Sequence, residues 1–535
     1  MQRSSTPREQ GSILVMAVIF TFVIAMLVAG TVSTAVNEAK NTTTSIDQAD
    51  AMSLAEGVTE AAQKEMLETV ANFNSPSMSG IIAISGTDYN YGVTQIGGSI
   101  TRTDIDGVNL VIQPYLLTSE VAVGDTSSTI SRVVELTMTP IFQYMIFFND
   151  DLEILPGPNM TLGGRVHANA DIYVGCGATL NVESDYFRCT GNILREKKSN
   201  GQQTGGTVNI KEFGETTMVD MTPSMDSTNT NWATMAMTEW GGTVQDGSHG
   251  VTEVEAPQIG SIKAYDSGGA PGYYHDHAGL VIRDGQAFDE DGDPITLPAG
   301  VISEVSMYDA REDGYVTLTE IDVAALGTSG YYPTNGLLYA YRSDATVGDP
   351  HGIRLTNGSE LPASLTVVTE NPLYVQGDYN TVNKKGAAVM ADAVNLLSNS
   401  WNDTKSAGNL PAASNTWYNL AMVTGNVPTP DGGGAYSGGF ENLPRFHENW
   451  SGRTASIRGS FIKIFESEYA MTPITYGGDH YTAPTRDWLY DPDLNDLANM
   501  PPFTPNAVYF RRVTWDDNVP MPFSTEGMGE VEEIQ

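Results

Sequence analysis

Hydrophobic and polar positions change rhythm three times along this chain, and each rhythm predicts a different kind of element. From Ser12 to Val36 no charged residue interrupts a run rich in Ile, Val, Leu, Met and Phe. About 20 apolar residues carry a helix across the hydrocarbon core of a bilayer, so this run predicts one membrane-spanning helix. Beyond it Ile46, Ala49, Met52, Leu54, Ala55, Val58, Ala61, Ala62, Met66, Leu67 and Val70 recur at helical spacing, with Gly and Pro nearly absent until Pro76. The helix is expected to continue, more polar, through about Asn72.

From Ile81 to Pro140 the rhythm becomes that of short strands, such as Tyr115 to Val123 and Arg132 to Thr139, separated by Gly, Asp and Ser clusters. Short β-strands are expected there. Between Asp151 and Ile193 the texture changes again. Apolar pairs recur as Leu152/Ile154, Met160/Leu162, Ile172/Val174 and Leu180/Val182, each flanked by Gly, Asn or Asp. Steps of about 8 to 10 residues between two-residue inward faces suit short β-solenoid rungs better than hairpins. The signature resumes at Ile353/Leu355, Leu365/Val367 and Leu373/Val375. Ala387 to Ser398 permits a helix by periodicity, whereas its strand-like neighbours argue for rungs.

The fold class expected is mainly β with one long N-terminal α-helix: a helix plus sheet, then a β-solenoid-like, β-rich body outside the cytoplasm. The parts are a leader (1–11), a transmembrane helix (12–36), its continuation (37–72), a β region (73–140) and a solenoid-like region (141–200). Residues 201–350 are expected as a β-rich insertion or lobe, and 351–535 as a C-terminal region continuing the solenoid.

Ahead of the apolar run, Arg3 and Arg8 stand against a single acid, Glu9. That basic excess favours a cytoplasmic leader with everything after Val36 on the far side. The run is longer than a secretory h-region of about 7–15 residues, so it reads as an anchor. The alternative is a cleaved signal peptide, with Ser33, Thr34 and Ala35 supplying the small residues.

The segment Gln10-Gly11-Ser12-Ile13-Leu14-Val15-Met16-Ala17 resembles the leader junction of type IV pilins and type II secretion pseudopilins, which a prepilin peptidase cuts after the glycine. Ala55-Glu56-Gly57-Val58-Thr59-Glu60-Ala61-Ala62 is similar to a stretch of the PilX N-terminal family of minor pilins. The resemblance implies processing between Gly11 and Ser12, other major and minor pilins as partners, an inner-membrane helix and a periplasmic body that reaches a pilus or the cell surface. Major pilins carry a glutamate at the fifth position after the cut, where this chain has Met16. An apolar filament core tolerates a charge only when it is paired, and the tip-forming pseudopilins also lack that glutamate. Tip or priming complex is the place implied. Asn371 to Asn380, Ala391 to Ala393 and Glu441 to Phe446 look like stretches of exported pilus-associated proteins, which implies architecture and no chemistry.

Acidic residues outnumber basic ones, 65 to 27, for a formal charge of −38. Such a surface repels phosphate backbones, so nucleic acid is excluded as a partner. The chain has two cysteines, Cys176 and Cys189. Cysteine-based metal sites are thereby excluded, and a disulfide between the two is expected in an oxidising compartment.

No nucleophile elbow, phosphate loop or zinc-protease helix occurs, so no enzyme is expected. Asp150, Asp151 and Glu153 could serve glycoside chemistry, but a polar turn explains them without it. Calcium is the ligand the sequence favours. Asp309 to Glu320 follows the EF-hand loop, with Asp309, Asp313 and Glu320 as ligands and Gly314 as the turn, although Arg311 stands at a ligand position. Asp289 to Pro294 reads as a hairpin turn. His275 and His277 would share one face of a strand without a third ligand.

Two functions fit. One is a structural minor pilin or pseudopilin-like subunit. The other is a surface adhesin on the same anchor, recognising glycans or surfaces; no cofactor is expected for either, calcium being an optional ligand of the second.

Overall fold

In a computed structural model, residues 10–71, 75–256, 262–430, 432–434, 438–474 and 480–517 are described. A single helix, Gln10–Ala71, spans 62 residues, about 93 Å at 1.5 Å per residue. It has two unlike halves. Ala51, Ala55, Val58, Ala62 and Met66 are buried and recur every three or four residues, which places them on one face. That face packs on an antiparallel sheet ordered Ser79–Ile84, Thr87–Gln95, Asn109–Val123, Thr126–Pro140 and Asn506–Asp517, with Ile100–Thr103 branching from Asn109–Val123. Tyr91, Val93, Tyr115, Leu117, Val121, Ile130, Val134 and Leu136 fill the interface. Two polar contacts fix the helix on the sheet. The Ser119 hydroxyl donates to the Ala55 carbonyl at 2.9 Å, and buried Arg132 pairs with Glu60 at 2.9 Å.

The last strand of this sheet comes from the far end of the chain. Residues 141–505 lie between two neighbouring strands of one sheet, Thr126–Pro140 and Asn506–Asp517, which pair antiparallel. The Ile141 N–H donates to the Pro505 carbonyl at 2.9 Å, so the body begins and ends at one point.

The body is a stack of parallel strands with a second closure inside it. Its main face is a twelve-stranded sheet in which Ile146–Phe148 sits fourth, between Val166–Ala168 and Phe461–Lys463. Ten of these strands run parallel, and the remaining two form antiparallel hairpins at one end. The chain starts in the middle and winds to one end at Val244–Gln245. It then returns to the opposite end at Leu280–Arg283 and winds back until Phe461–Lys463 closes against Ile146–Phe148. In space, residues 280–463 therefore precede residues 146–245. Ten parallel strands at about 4.8 Å give a stack about 43 Å long.

The inward pairs read from the sequence meet in register. Leu152 and Ile154 pair with Ile172 and Val174, Met160 and Leu162 with Leu180 and Val182, and Ile353 and Leu355 with Leu373 and Val375. A full turn takes about 20 residues, as from Leu152 to Ile172 and from Met160 to Leu180, and contains three faces, so successive faces follow at 6 to 8 residues rather than 8 to 10. Residues 201–350 form no separate lobe: Thr207–Lys211, Val244–Gln245, Leu280–Arg283 and Leu337–Tyr341 are strands of the stack and supply both its ends. Ala387 to Ser398 holds two strands, Ala387–Ala391 and Val394–Leu397. Asp289 to Pro294 is a hairpin turn in which the Asp289 carboxylate accepts from the Asp293 N–H at 2.9 Å.

The main sheet is buried on both faces, which explains continuous apolar strands such as Leu337–Tyr341. Its outer face carries Tyr144, Phe147, Tyr186, Tyr339, Met390 and Val423, covered in part by Ala256, Ile262 and Ala264 of the returning segment. At one end the helix Trp232–Trp240 buries Trp232, Ala236 and Trp240 over the last turn.

Deleting residues 506–535 from the full chain strips the partner from Thr126–Pro140 and bares its edge from Ile130 to Pro140. Limited proteolysis of that truncation should show rapid cleavage within residues 79–140 and a shift to aggregates. A truncated chain as resistant there as the intact one would contradict the closure.

Candidate functional sites in the anchor and the body

The first half of the long helix has no packing partner. Ile13, Leu14, Met16 and Phe20 are each 70 to 71% exposed, and the most apolar 18-residue window reaches a mean hydropathy of 2.9 with none of it buried. In water such a stripe would be costly, at about 25 cal/mol per Å² of apolar surface. The polar groups within it are satisfied locally: the Thr31 and Thr34 hydroxyls donate to the Val28 and Gly30 carbonyls at 2.9 and 3.0 Å. That is how a helix carries hydroxyls into hydrocarbon. The helix fits a single-pass membrane anchor. Gly11 and Ser12 lie in its first turn, whereas Arg3, Arg8 and Glu9 lie outside the described residues.

The calcium ligands expected at Asp309, Asp313 and Glu320 do not converge. They belong to a hairpin, Ile302–Asp309 against Gly314–Asp322, whose register puts Asp309 opposite Gly314 and Glu320 opposite Ser303. Asp309 accepts from the Tyr374 hydroxyl at 2.6 Å, Asp313 from the Tyr308 hydroxyl at 2.6 Å, and Glu320 from Arg354 Nε at 2.7 Å. The alternation of buried Val316 and Leu318 with half-buried Thr317 extends the chain into a strand where a calcium loop would have to wrap. No group of three or more His, Cys, Asp or Glu side chains placed to hold a metal occurs among the described residues.

Cys176 and Cys189, expected as a disulfide, are free and buried. Cys176 follows Ile172–Val174 on one face of the stack, and Cys189 ends Phe187–Cys189 on another. Burial pushes both thiols up, which leaves them unreactive. His275 stands in a one-turn helix, Tyr273–Asp276, rather than a strand, with its ring 4.9 Å from Tyr265, and exposed His277 stacks on Tyr273 at 4.4 Å. Asp150 pairs with Lys463 and Asp151 with Lys198, so neither is free for glycoside chemistry.

The second sheet of the body carries a largely buried polar row, of which sequence spacing had singled out Glu320 alone. Glu320, Arg354, Tyr374, Asn395 and Arg445 stand side by side on successive parallel strands. Each of the middle three lies between two inward apolar residues, as in Ile353-Arg354-Leu355, so the signal was present as the polar centre of each apolar pair. Loops fold over the row. Arg354 holds Asp403 through two bonds of 2.6 and 2.9 Å, Arg445 pairs with Glu312, and the Ser398 hydroxyl donates to Glu448 at 2.6 Å. Lys405 donates to the His447 carbonyl, and His447 Nε2 bonds to the Asn395 amide at 2.9 Å.

Charge inside this layer is set by burial and partners. Burial alone would raise Asp309, but the Tyr374 hydroxyl and the Arg445 guanidinium hold it below the usual carboxylate range. Burial lowers Lys405 to about 8. Burial, with repulsion from Arg445, lowers Arg311 to about 10. His447 is pushed down to about 3, chiefly by burial and then by Lys405 and Arg311 against the pull of Asp309. A row so enclosed clamps loops to the sheet and offers no open chemistry.

No family model matches the chain, and no curated protein matches it. Among solved structures it is similar to the crystal structure of the competence-associated pilin ComZ from Thermus thermophilus, at 10% identity over 79% of this chain and 87% of that one, with a TM-score of 0.28. A likeness that weak carries no functional weight.

His447 and His167, the latter held at about 4 mainly by burial, stay neutral in the folded chain while an unfolded histidine titrates near pH 6.5. Their contribution is complete above about pH 6.5 and is lost as pH falls, because the unfolded chain then binds protons that the folded chain does not. Denaturant titrations should show stability falling by up to about 2.7 kcal/mol per pH unit between pH 6 and 4.5 from these two groups, and His447→Gln should remove about half of that slope. A slope unchanged by the substitution would contradict the assignment.

Proposed function

We propose that the chain is a membrane-anchored, pilin-like structural subunit of a type IV pilus or a related secretion filament, processed between Gly11 and Ser12 by a prepilin peptidase. The observation that carries this reading is the division of one helix into a bare apolar half and a half packed on an antiparallel sheet. A soluble protein has no use for the first half, and a plain anchor has no need to build the second into a sheet domain. The resemblance of Gln10 to Ala17 to a prepilin junction supports the cut, and the basic leader supports a cytoplasmic N-terminus with the body on the far side.

The place we propose is the tip, or the complex that primes assembly, with other pilins as neighbours. Packed helices lie about 8–10 Å apart. Residues 141–505, inserted between two strands of the sheet, are too large to repeat at that spacing along a shaft. Met16 fits the same place, because a terminal position needs no buried carboxylate partner for a neighbour's ammonium. The role is structural rather than catalytic.

N-terminal sequencing of the chain isolated from its native membrane or sheared surface fraction is expected to start at Ser12, and Gly11→Leu is expected to leave an uncut precursor. A native start at Met1 or Val36, or normal processing of Gly11→Leu, would overturn the reading.

A further inference from the structure

Anchoring uses none of the polar groups at one corner of the stack. There a cleft of about 500 Å³ lies between the first turn and the last, within the range of small-ligand sites. Glu153 reaches it from Leu152–Ile154, Glu441 and Asn442 from the short helix Phe440–Asn442, and Tyr481 and Arg486 from the segment that ends in Thr485–Tyr490. Lys197, on a turn, closes another side. Chain closure, rather than proximity in sequence, brings these residues together.

Three of these groups are enclosed but incompletely used. Glu441, Glu153 and Arg486 are 6, 8 and 9% exposed. Glu441 accepts from the Leu155 N–H at 3.2 Å and Glu153 from the Thr429 hydroxyl at 2.8 Å, while an Arg486 terminal nitrogen donates to the Glu441 carbonyl at 3.1 Å. Arg486 Nε has no hydrogen-bond partner among the described residues. Leaving a buried donor unsatisfied is costly, so a partner supplied from outside would be stabilising. Burial raises both carboxyls, and Glu153 adds to the rise at Glu441, so the pair gains from any ligand that donates to it.

The lining selects among ligands. Two acids and two bases, Glu153, Glu441, Lys197 and Arg486, give the cleft no formal net charge, so it favours neither a phosphate nor an amine. Donors and acceptors alternate at close range beside the ring of Tyr481, whose hydroxyl donates to the Asn442 amide. A hydroxyl both donates and accepts, so a ligand dense in hydroxyls satisfies such a wall where a purely cationic or anionic one would not. We propose that this cleft binds a neutral sugar unit of a polysaccharide, with Glu441, Glu153 and Arg486 taking its hydroxyls and Tyr481 offering an apolar ring. It binds without cleaving, and it does so however the N-terminus is processed.

The test uses the full chain in detergent and a panel of neutral oligosaccharides of glucose, galactose, mannose and N-acetylglucosamine, with uronic-acid oligomers alongside. Binding is read by calorimetry and by tryptophan fluorescence, since the Trp488 ring lies 5.4 Å from the Arg486 guanidinium. At least one neutral oligomer should bind, and Glu441→Gln and Asn200→Trp should each weaken it at least tenfold. Trp417→Ala, on the outer face of Thr416–Asn419, should leave it unchanged. Asn200 lies exposed on the rim, so its variant blocks the mouth without disturbing the core and decides the matter if Glu441→Gln fails to fold. Binding of no neutral oligomer, binding of charged oligomers alone, or full affinity in Asn200→Trp would overturn the proposal.

Discussion

The pairing of Asn506–Asp517 with Thr126–Pro140 is the contact on which the rest of the molecule depends. It runs from Asn506 opposite Pro140 to Asp517 opposite Ile130, with one irregularity between Arg512 and Thr514. Because the body is spliced between these two strands, it is tethered to the helix and sheet by two chain crossings that meet at Ile141 and Pro505. A body on one linker would swing, whereas one held at adjacent strands moves with the sheet, and the sheet moves with the helix through Ser119, Arg132 and the apolar stripe.

A second closure of the same kind lies within the body. The stack opens at Ile146–Phe148 and is sealed when Phe461–Lys463 pairs with that strand. The earliest and latest strands of the main sheet's parallel stack are thus neighbours inside it. Both closures join residues more than 300 positions apart, as in the Ser460 hydroxyl bonded to the Tyr144 carbonyl. Contacts so distant in sequence require large loops to be ordered before they form, which predicts slow folding completed only when the whole chain is present. The cleft at Glu153, Glu441 and Arg486 is a product of this closure, since its walls come from the first and last turns.

Local pattern made much of this legible. The helix followed from its uncharged run and from the spacing of Ala55, Val58, Ala62 and Met66, and the in-register turns followed from pairs such as Leu152/Ile154, because two inward residues on a short strand are all that a narrow stack requires. The order of the turns was hidden. Parallel pairing is specified by matching inward pairs, and those at Ile353/Leu355 fit a stack equally well before or after those at Leu152/Ile154, so residues 200 to 350 looked like a separate lobe. The acidic run from Asp309 to Glu320 misled for a related reason: its oxygen spacing matched a calcium loop, but the β-branched and apolar alternation from Val316 to Ile321 decided its backbone. Nor could spacing show that Glu153 and Glu441 share a cavity, because only the chain's return brings them together.

A cross-link in the closing strand pair tests this account most directly. Tyr509 lies directly opposite Thr137, at a separation between neighbouring strands that a disulfide spans. The chain's own two cysteines are buried and leave the oxidation unambiguous. In the full chain carrying Thr137→Cys and Tyr509→Cys, mild oxidation should produce a single intramolecular disulfide joining the peptides around residues 137 and 509, seen by mass spectrometry after proteolysis. Two thiols that stay free under oxidation, or that link only between molecules, would mean that the C-terminal strand does not close the sheet and that the body hangs from the anchor by one connection.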